Sequence, residues 1–219
     1  MDKVNEFEHG IDTATKARSD SLRFGSLANE QFRHVSSDEL LTTENGKKAF
    51  RDMVGTFFNV QRKRLQVLAS YAQGDNYSIL AGSRRLDKEK ADYRVRHKWG
   101  GYISSFATSY VIGNPVTIGI LEGAEEEQLK VIEEIEWQND INSLNSDLAF
   151  DASVYGRAFE YHFRDKDNVD RVVLISPLEM FVIRDLTVEQ NIIAAVHLPI
   201  FADKVSATVY TKDRIISYK

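Results

Sequence analysis

The sequence predicts an α+β fold, with N-terminal amphipathic helices followed by a mostly antiparallel sheet. Three observations predict it. Helical spacing of apolar residues dominates from Gly46 to Tyr155. At Gly156 the period changes to two and keeps that value to Tyr218. The turns joining the period-two segments are too short for the crossovers of a parallel sheet, so the strands pair antiparallel, and helices precede strands instead of alternating with them.

Residues 1–35 are polar, lack sustained periodicity and include the run DTATKARSDS. They read as a flexible N-terminal arm, leaving one α+β domain over residues 36–219. Ser36, Ser37 and Asp38 offer side-chain oxygens to the unpaired N–H groups of a short helix through Leu41. From Gly46 to about Ala72, the residues Phe50, Val54, Phe57, Leu65, Leu68 and Ala72 share one helical face. Gly74, Asp75 and Asn76 end that helix, and a loop through Gly82 leads to Arg84 and Arg85.

A second long helix is expected from about Asp92 to Ile112, with Val95, Trp99, Ile103, Phe106 and Tyr110 on one side. Gly113 is expected to close it in the left-handed conformation, with Pro115 unable to continue the ladder. Gly100 and Gly101 inside it imply close packing or a kink. Val116 to Leu121 reads as a strand. An acidic helix follows from Ala124 to Trp137, with Leu129, Ile132 and Ile135 on its buried side and Glu125, Glu126 and Glu127 in its first turn. A further helix from Ser143 to Tyr155 uses Leu144, Leu148, Ala152 and Tyr155 and stops at Gly156.

Six strands are expected after it: Ala158 to Phe163, Val172 to Ile175, Met180 to Arg184, Ile192 to Leu198, Val205 to Tyr210 and Ile215 to Tyr218. Turns at Asp165 to Asp170 and Thr211 to Asp213 join two of the pairs.

With 219 residues, 42% hydrophobic and 28% charged, the chain has material for a real core. The absence of cysteine excludes disulfides, thiolate metal sites and cysteine nucleophiles. Met1 to Gly10 is polar and acidic, unlike a signal peptide. The charge-free run from Trp99 to Leu121 has the length of a membrane span, but a helix stop and a strand divide it.

The net charge of -5 is unevenly spread. Residues 46–100 hold 13 Lys and Arg against 5 Asp and Glu, whereas residues 121–160 hold 2 against 11. Such separation suits subunits packed around a ring or a basic face meeting a polyanion, and equally two solvated helix faces.

Signatures of chemistry fail residue by residue, and no cofactor is implied. The run from Asp165 begins like a calcium loop, yet Asp170 and Ser176 stand where glycine and glutamate are required. Gly46, Lys47 and Lys48 lack the remainder of a phosphate-binding loop. His9, His34, His97, His162 and His197 are scattered, and no serine elbow occurs. Arg62, Lys63, Arg64, Arg84, Arg85, Lys88, Lys90, Arg94, Arg96 and Lys98, with Tyr93 and Trp99 among them, offer a nonspecific phosphate-binding surface.

Five stretches together resemble one family. A first helix ends near Tyr71 and Gly74, and the Arg84-Arg85 loop leads to a helix containing ADYRV, Ala91 to Val95. SYVIGNPVTI, Ser109 to Ile118, forms a junction through Gly113, Asn114 and Pro115. SVYGRAFEYHFRD, Ser153 to Asp165, crosses from helix to strand at Tyr155, Gly156 and Arg157, and ISPLEMFVIRD, Ile175 to Asp185, carries Pro177 into the next hairpin. In order and spacing, from Arg51 to Lys219, these resemble the portal proteins of siphophages infecting Gram-positive bacteria.

The resemblance implies a structural, non-enzymatic virion protein. It would be a homo-oligomeric ring, usually of twelve subunits, at one capsid vertex, assembled in the host cytoplasm with capsid and scaffolding proteins. DNA passes through such a ring during packaging and ejection, and a terminase and a head-tail adaptor dock on it. No membrane is involved. Family members continue into a stem, clip, tunnel loop and crown, whereas this chain stops at Lys219 among strands. It is therefore expected to represent the outer wing, as a fragment or truncated product, with the DNA-lining parts elsewhere.

The basic residues then inherit no DNA role. Arg84, Arg85, Arg94, Arg96 and Lys98 are expected to be subunit-interface or polyanion contacts. The competing readings are a nonspecific nucleic-acid-binding module using the basic helices, and an enzyme whose catalytic groups meet only in the fold.

Overall fold

The computed structural model describes residues 31–76, 79, 93–120, 126–201 and 204–218. Most of the expected arm, the Arg84-Arg85 loop, Asp92, Leu121, Ala124 and Glu125 lie outside them. Strand β1 is Phe32–Arg33, followed by helices α1 (Ser37–Thr42), α2 (Glu44–Thr56) and α3 (Arg62–Gln73), with a π-helical turn, Phe57–Gln61, between α2 and α3. Then come α4 (Trp99–Ile112), α5 (Glu126–Gln138) and α6 (Ile141–Tyr155). The strands are β2 (Phe159–Arg164), β3 (Asp170–Ile175), β4 (Met180–Arg184), β5 (Ile192–His197), β6 (Ile200–Phe201), β7 (Lys204–Val205), β8 (Ala207–Thr211) and β9 (Ile215–Tyr218). This is the α+β order expected. Two compact units result: residues 1–66 with 178–219, and residues 67–177.

In the first unit five strands form a sheet in the order β1-β4-β5-β8-β9. All its pairings are antiparallel except β1 with β4, where Phe32 faces Ile183 in a parallel register. Ordered structure therefore begins ahead of Ser36. Phe32 is buried edge-on against Phe181, with ring centroids 4.9 Å apart, because this one apolar side chain in a polar stretch finds an open sheet edge. Phe57 meets Phe181 at 5.0 Å, and Leu40, Leu65, Ile183, Val196, Leu198 and Val209 complete the core.

Local signals set the helix ends. Ser36 Oγ accepts from the Glu39 N–H at 3.2 Å to cap α1, and Thr43 Oγ1 accepts from the Gly46 N–H at 3.0 Å to cap α2. The long helix of the expectation is present from Glu44 to Gln73, but interrupted by the π turn, in which Arg62 N–H bonds the Phe57 carbonyl. Residues four apart drift round an ordinary helix, and the wider turn sets them back. Phe57, Gln61 and Leu65 are consequently all buried.

The second unit contains the end of α3, then α4 to α6 and the β2-β3 hairpin. The hairpin pairs Phe159 with Ile175 through Arg164 with Asp170, and its turn is tied by Asp165 Oδ1, which accepts from the N–H groups of Asp167 and Val169 at 2.9 and 3.0 Å. It is a turn, as expected. Asn139 joins α5 to β3: its Nδ2 donates to the Asp170 carbonyl at 2.9 Å, and its Oδ1 accepts from the Val172 N–H at 3.0 Å.

Several boundaries differ from the sequence-based expectation. Residues 93–98 are not helical, so α4 starts at Trp99 and the YRV part of ADYRV lies outside it. Tertiary ties win over periodicity there: the Arg96 guanidinium pairs with Asp75 at 2.8 Å, and Asn76 donates to the His97 carbonyl at 3.1 Å. Among the described residues, 116–120 form no strand and pair with none. On α5, Leu129 and Ile135 are half-buried but Ile132 is exposed. A short hairpin, β6-β7, is additional.

Candidate functional site

Helix α4 is uncharged and exposes most of its large side chains. The two buried residues among its fourteen are small, and its aromatic side chains are all exposed. Gly101 and Ser104 are buried, with Thr108 continuing that side half-buried. Ser104 Oγ accepts from Ser153 Oγ of α6 at 3.0 Å, and a Cβ on Gly101 would stand 2.2 Å from the Ala72 carbonyl. The glycine pair thus serves close packing, as expected, against the last turn of α3.

The side that carries Trp99, Ile103, Phe106 and Tyr110 faces solvent. Trp99, Phe106 and Tyr110 are 63%, 66% and 86% exposed, and Tyr102, Ile103 and Val111 are exposed beside them. Trp99 and Tyr102 meet edge to face at 6.0 Å. Helical periodicity identifies an apolar face but does not say what covers it. The aromatic members alone leave on the order of 500 Å² in solvent. Uncovered patches of that size mark interaction surfaces.

Cations flank the N-terminal end of this face. Arg94 is half-buried, and Arg96 is exposed within its pair with Asp75. Lys98 lays its stem beside the positions a Cβ would take on Gly74 and Gly101. Arg84 and Arg85 lie outside the described residues. The three basic residues that are described are therefore collected at one end of α4, though Arg96 and Lys98 also have work within the chain.

The junction residues serve as fold hinges. Gly113 ends α4 with φ -65°, in the right-handed region, which corrects the expected left-handed closure. Pro115 suffices to stop the helix, because it lacks an N–H and restricts Asn114 before it. Asn114 and Pro115 are exposed. Gly156 does take the left-handed conformation, with φ 71°, and its N–H bonds the Ala152 carbonyl at 2.9 Å. Tyr155 and Arg157 on either side are half-buried, and Pro177 is fully buried in the turn after β3. Burial pushes the Tyr155 phenol above its ordinary value, helped by the charge of Asp151. None of these junction residues converges with the α4 face into a reacting constellation. Motif reading missed the exposed aromatic face of α4; the available signal was the placing of Gly101, Ser104 and Thr108 three and four apart on another side of the helix.

Among the described residues no group of His, Asp and Glu has the arrangement of a metal site, and no helix is long and apolar enough to cross a membrane. His162 and His197 lie beside Glu160 and Glu179, at 3.1 and 3.8 Å. His34 instead bonds the Ser36 carbonyl.

A search among curated proteins finds no match to the chain. The family model described as "Phage portal protein, SPP1 Gp6-like" matches residues 57–219, from the π turn through α4 and both junctions into β9. With about three quarters of its residues matched, and helices and strands in the order that the five motifs imply, this chain belongs to the SPP1 Gp6-like family of phage portal proteins.

Proposed function

We propose that this chain is a structural, ring-forming component of a portal at the capsid vertex, through which genomic DNA is packaged and ejected, and that it acts by assembly without catalysis. Its fold corresponds to the peripheral wing of such a subunit. Family membership supports the portal role. The observation that carries the assembly reading is the uncharged aromatic face of α4, left in solvent by the chain itself. Its aromatic area, on the order of 500 Å², is more than half of the ~800 Å² that each partner contributes to a standard interface. Capsid and scaffolding proteins are the surroundings this reading implies, with a terminase, an adaptor and double-stranded DNA engaging the ring.

Nucleic-acid binding by the basic segment is the weaker reading. The described cations of this segment stop at Lys98, ahead of an α4 without charge, and the aliphatic Ile103 and Val111 interrupt the aromatic surface. Electron microscopy of the protein expressed with its capsid and scaffolding partners tests the proposal. Rings with a central channel, occupying one vertex of the particle, are expected. A compact monomer at high concentration that never enters the particle overturns it.

A further inference from the structure

We infer that the exposed face of α4 seats helix α5 of a neighbouring copy, so that the ring closes by a heterologous contact between two different surfaces of the same unit. The inference rests on the portal reading only for the identity of the partner as a second copy. Two observations select α5. It is the acidic element: Glu126, Glu127, Glu133, Glu134 and Glu136 stand on it against the single cation Lys130. It also lacks any fully buried residue, and it presents Val131 and Trp137, 56% and 83% exposed, among those carboxylates.

The two surfaces are complementary in composition. One offers Trp99, Phe106 and Tyr110 with Arg94, Arg96 and Lys98 at one end. The other offers Val131 and Trp137 with Glu133, Glu134 and Glu136 between and beside them. Apolar contact supplies the adhesion and opposite charge sets the register. The Arg96 pair with Asp75 is no obstacle, because both partners are about half exposed and a guanidinium has donors to share between two carboxylates. An α4-to-α4 contact offers no acidic counterpart to the basic end, whereas pairing α4 with α5 does, and a head-to-tail contact between different surfaces closes a ring instead of a dimer.

The chain contains no cysteine, so paired single substitutions report the contact cleanly. Phe106→Cys and Val131→Cys both lie at exposed positions, and circular dichroism confirms that each variant folds. Mixed under mild oxidation, the two are expected to give a disulfide-linked pair that neither variant gives alone. Arg94→Glu with Arg96→Glu is expected to slow the linkage at least about tenfold, and Glu133→Arg with Glu134→Arg on the other copy to restore it. A Phe106→Cys variant that links to itself, or folded variants that never link, overturns the inference. Protection of the Phe106→Cys thiol by single- or double-stranded DNA in place of a second copy overturns it as well. Rings seen by microscopy without the mixed linkage remove this contact and leave the portal reading standing; a mixed linkage without rings at a capsid vertex does the reverse.

Discussion

Gly101 and Ala72 bring two helices together backbone to backbone: a Cβ on Gly101 would stand 2.2 Å from the Ala72 carbonyl oxygen. At Gly100 the corresponding nearest atom, the Tyr71 carbonyl oxygen, would be 3.1 Å away. Gly101→Ala is therefore expected to lose ~1–3 kcal/mol by overpacking, since the obstacle is main chain and cannot rotate aside. Gly100→Ala is expected to be close to neutral, because its better helix propensity, about 1 kcal/mol, offsets the tighter contact. Urea titration of the two variants measures the difference, and equal losses would contradict the close approach.

Gly156 isolates a purely conformational requirement. Its φ is 71°, and nothing lies within 4 Å of the position a Cβ would take. Gly156→Ala is expected to cost about 1–2 kcal/mol through the left-handed backbone alone. Gly156→Asn should recover part of that loss, as asparagine tolerates the conformation. A thermal melt of the pair checks the order.

Asn139 clamps α5 to β3 through the Asp170 carbonyl and the Val172 N–H. Asn139→Ala leaves both backbone groups without this partner in a half-buried position, and a loss of roughly 1–3 kcal/mol is expected. Hydrogen exchange at the Val172 amide should accelerate with it. Unchanged protection there would show that the clamp is dispensable.

Asp151 predicts a pH dependence of opposite sign to ordinary acid denaturation. Burial raises its carboxyl above the ordinary 3.8, and the Asp147 charge adds to the shift. The folded state then holds the proton more tightly than the unfolded chain. The associated stability is present below the ordinary value and is lost as pH rises through the raised one. Asp151→Asn should accordingly stabilise the protein at neutral pH, with the gain fading as the pH falls through the raised value and gone below 3.8. Melts across that range give the answer, and a gain independent of pH would point to packing instead.

Phe106→Asp distinguishes a surface from a core. Because Phe106 is exposed, the melting of the isolated chain should change by no more than about 0.5 kcal/mol. Ring assembly should nevertheless be abolished or much reduced, as judged by microscopy of particles. A large loss of stability in the isolated chain would mean that the chain covers this face itself.

Much of the framework was legible in local chemistry. Ser36 caps α1, Gly74 follows α3 and Gly156 ends α6 because capping and backbone freedom depend on a few adjacent residues. Met180 to Arg184 and Ile215 to Tyr218 are strands with the expected limits, since alternation and turns define them locally. The failures share a cause outside the segment concerned. Residues 93–98 are held off a helix by Asp75 and Asn76, twenty or so positions away. Phe32 becomes a strand residue because β4 offers it an edge. The π turn exists because Phe57, Gln61 and Leu65 must share one buried side.

The amino-acid sequence by itself determined the α+β class, the helix-to-sheet change at Gly156 and, through its ordered motifs, the resemblance to portal proteins. Periodicity and turn chemistry are properties of neighbouring residues, and they survive without knowledge of what packs where. Only the tertiary structure decided which side of α4 is covered. Trp99, Ile103, Phe106 and Tyr110 carry the pattern of a core, yet the space against α3 and α6 admits only Gly101 and Ser104. Backbone proximity excludes the large side chains from that interior and leaves them in solvent.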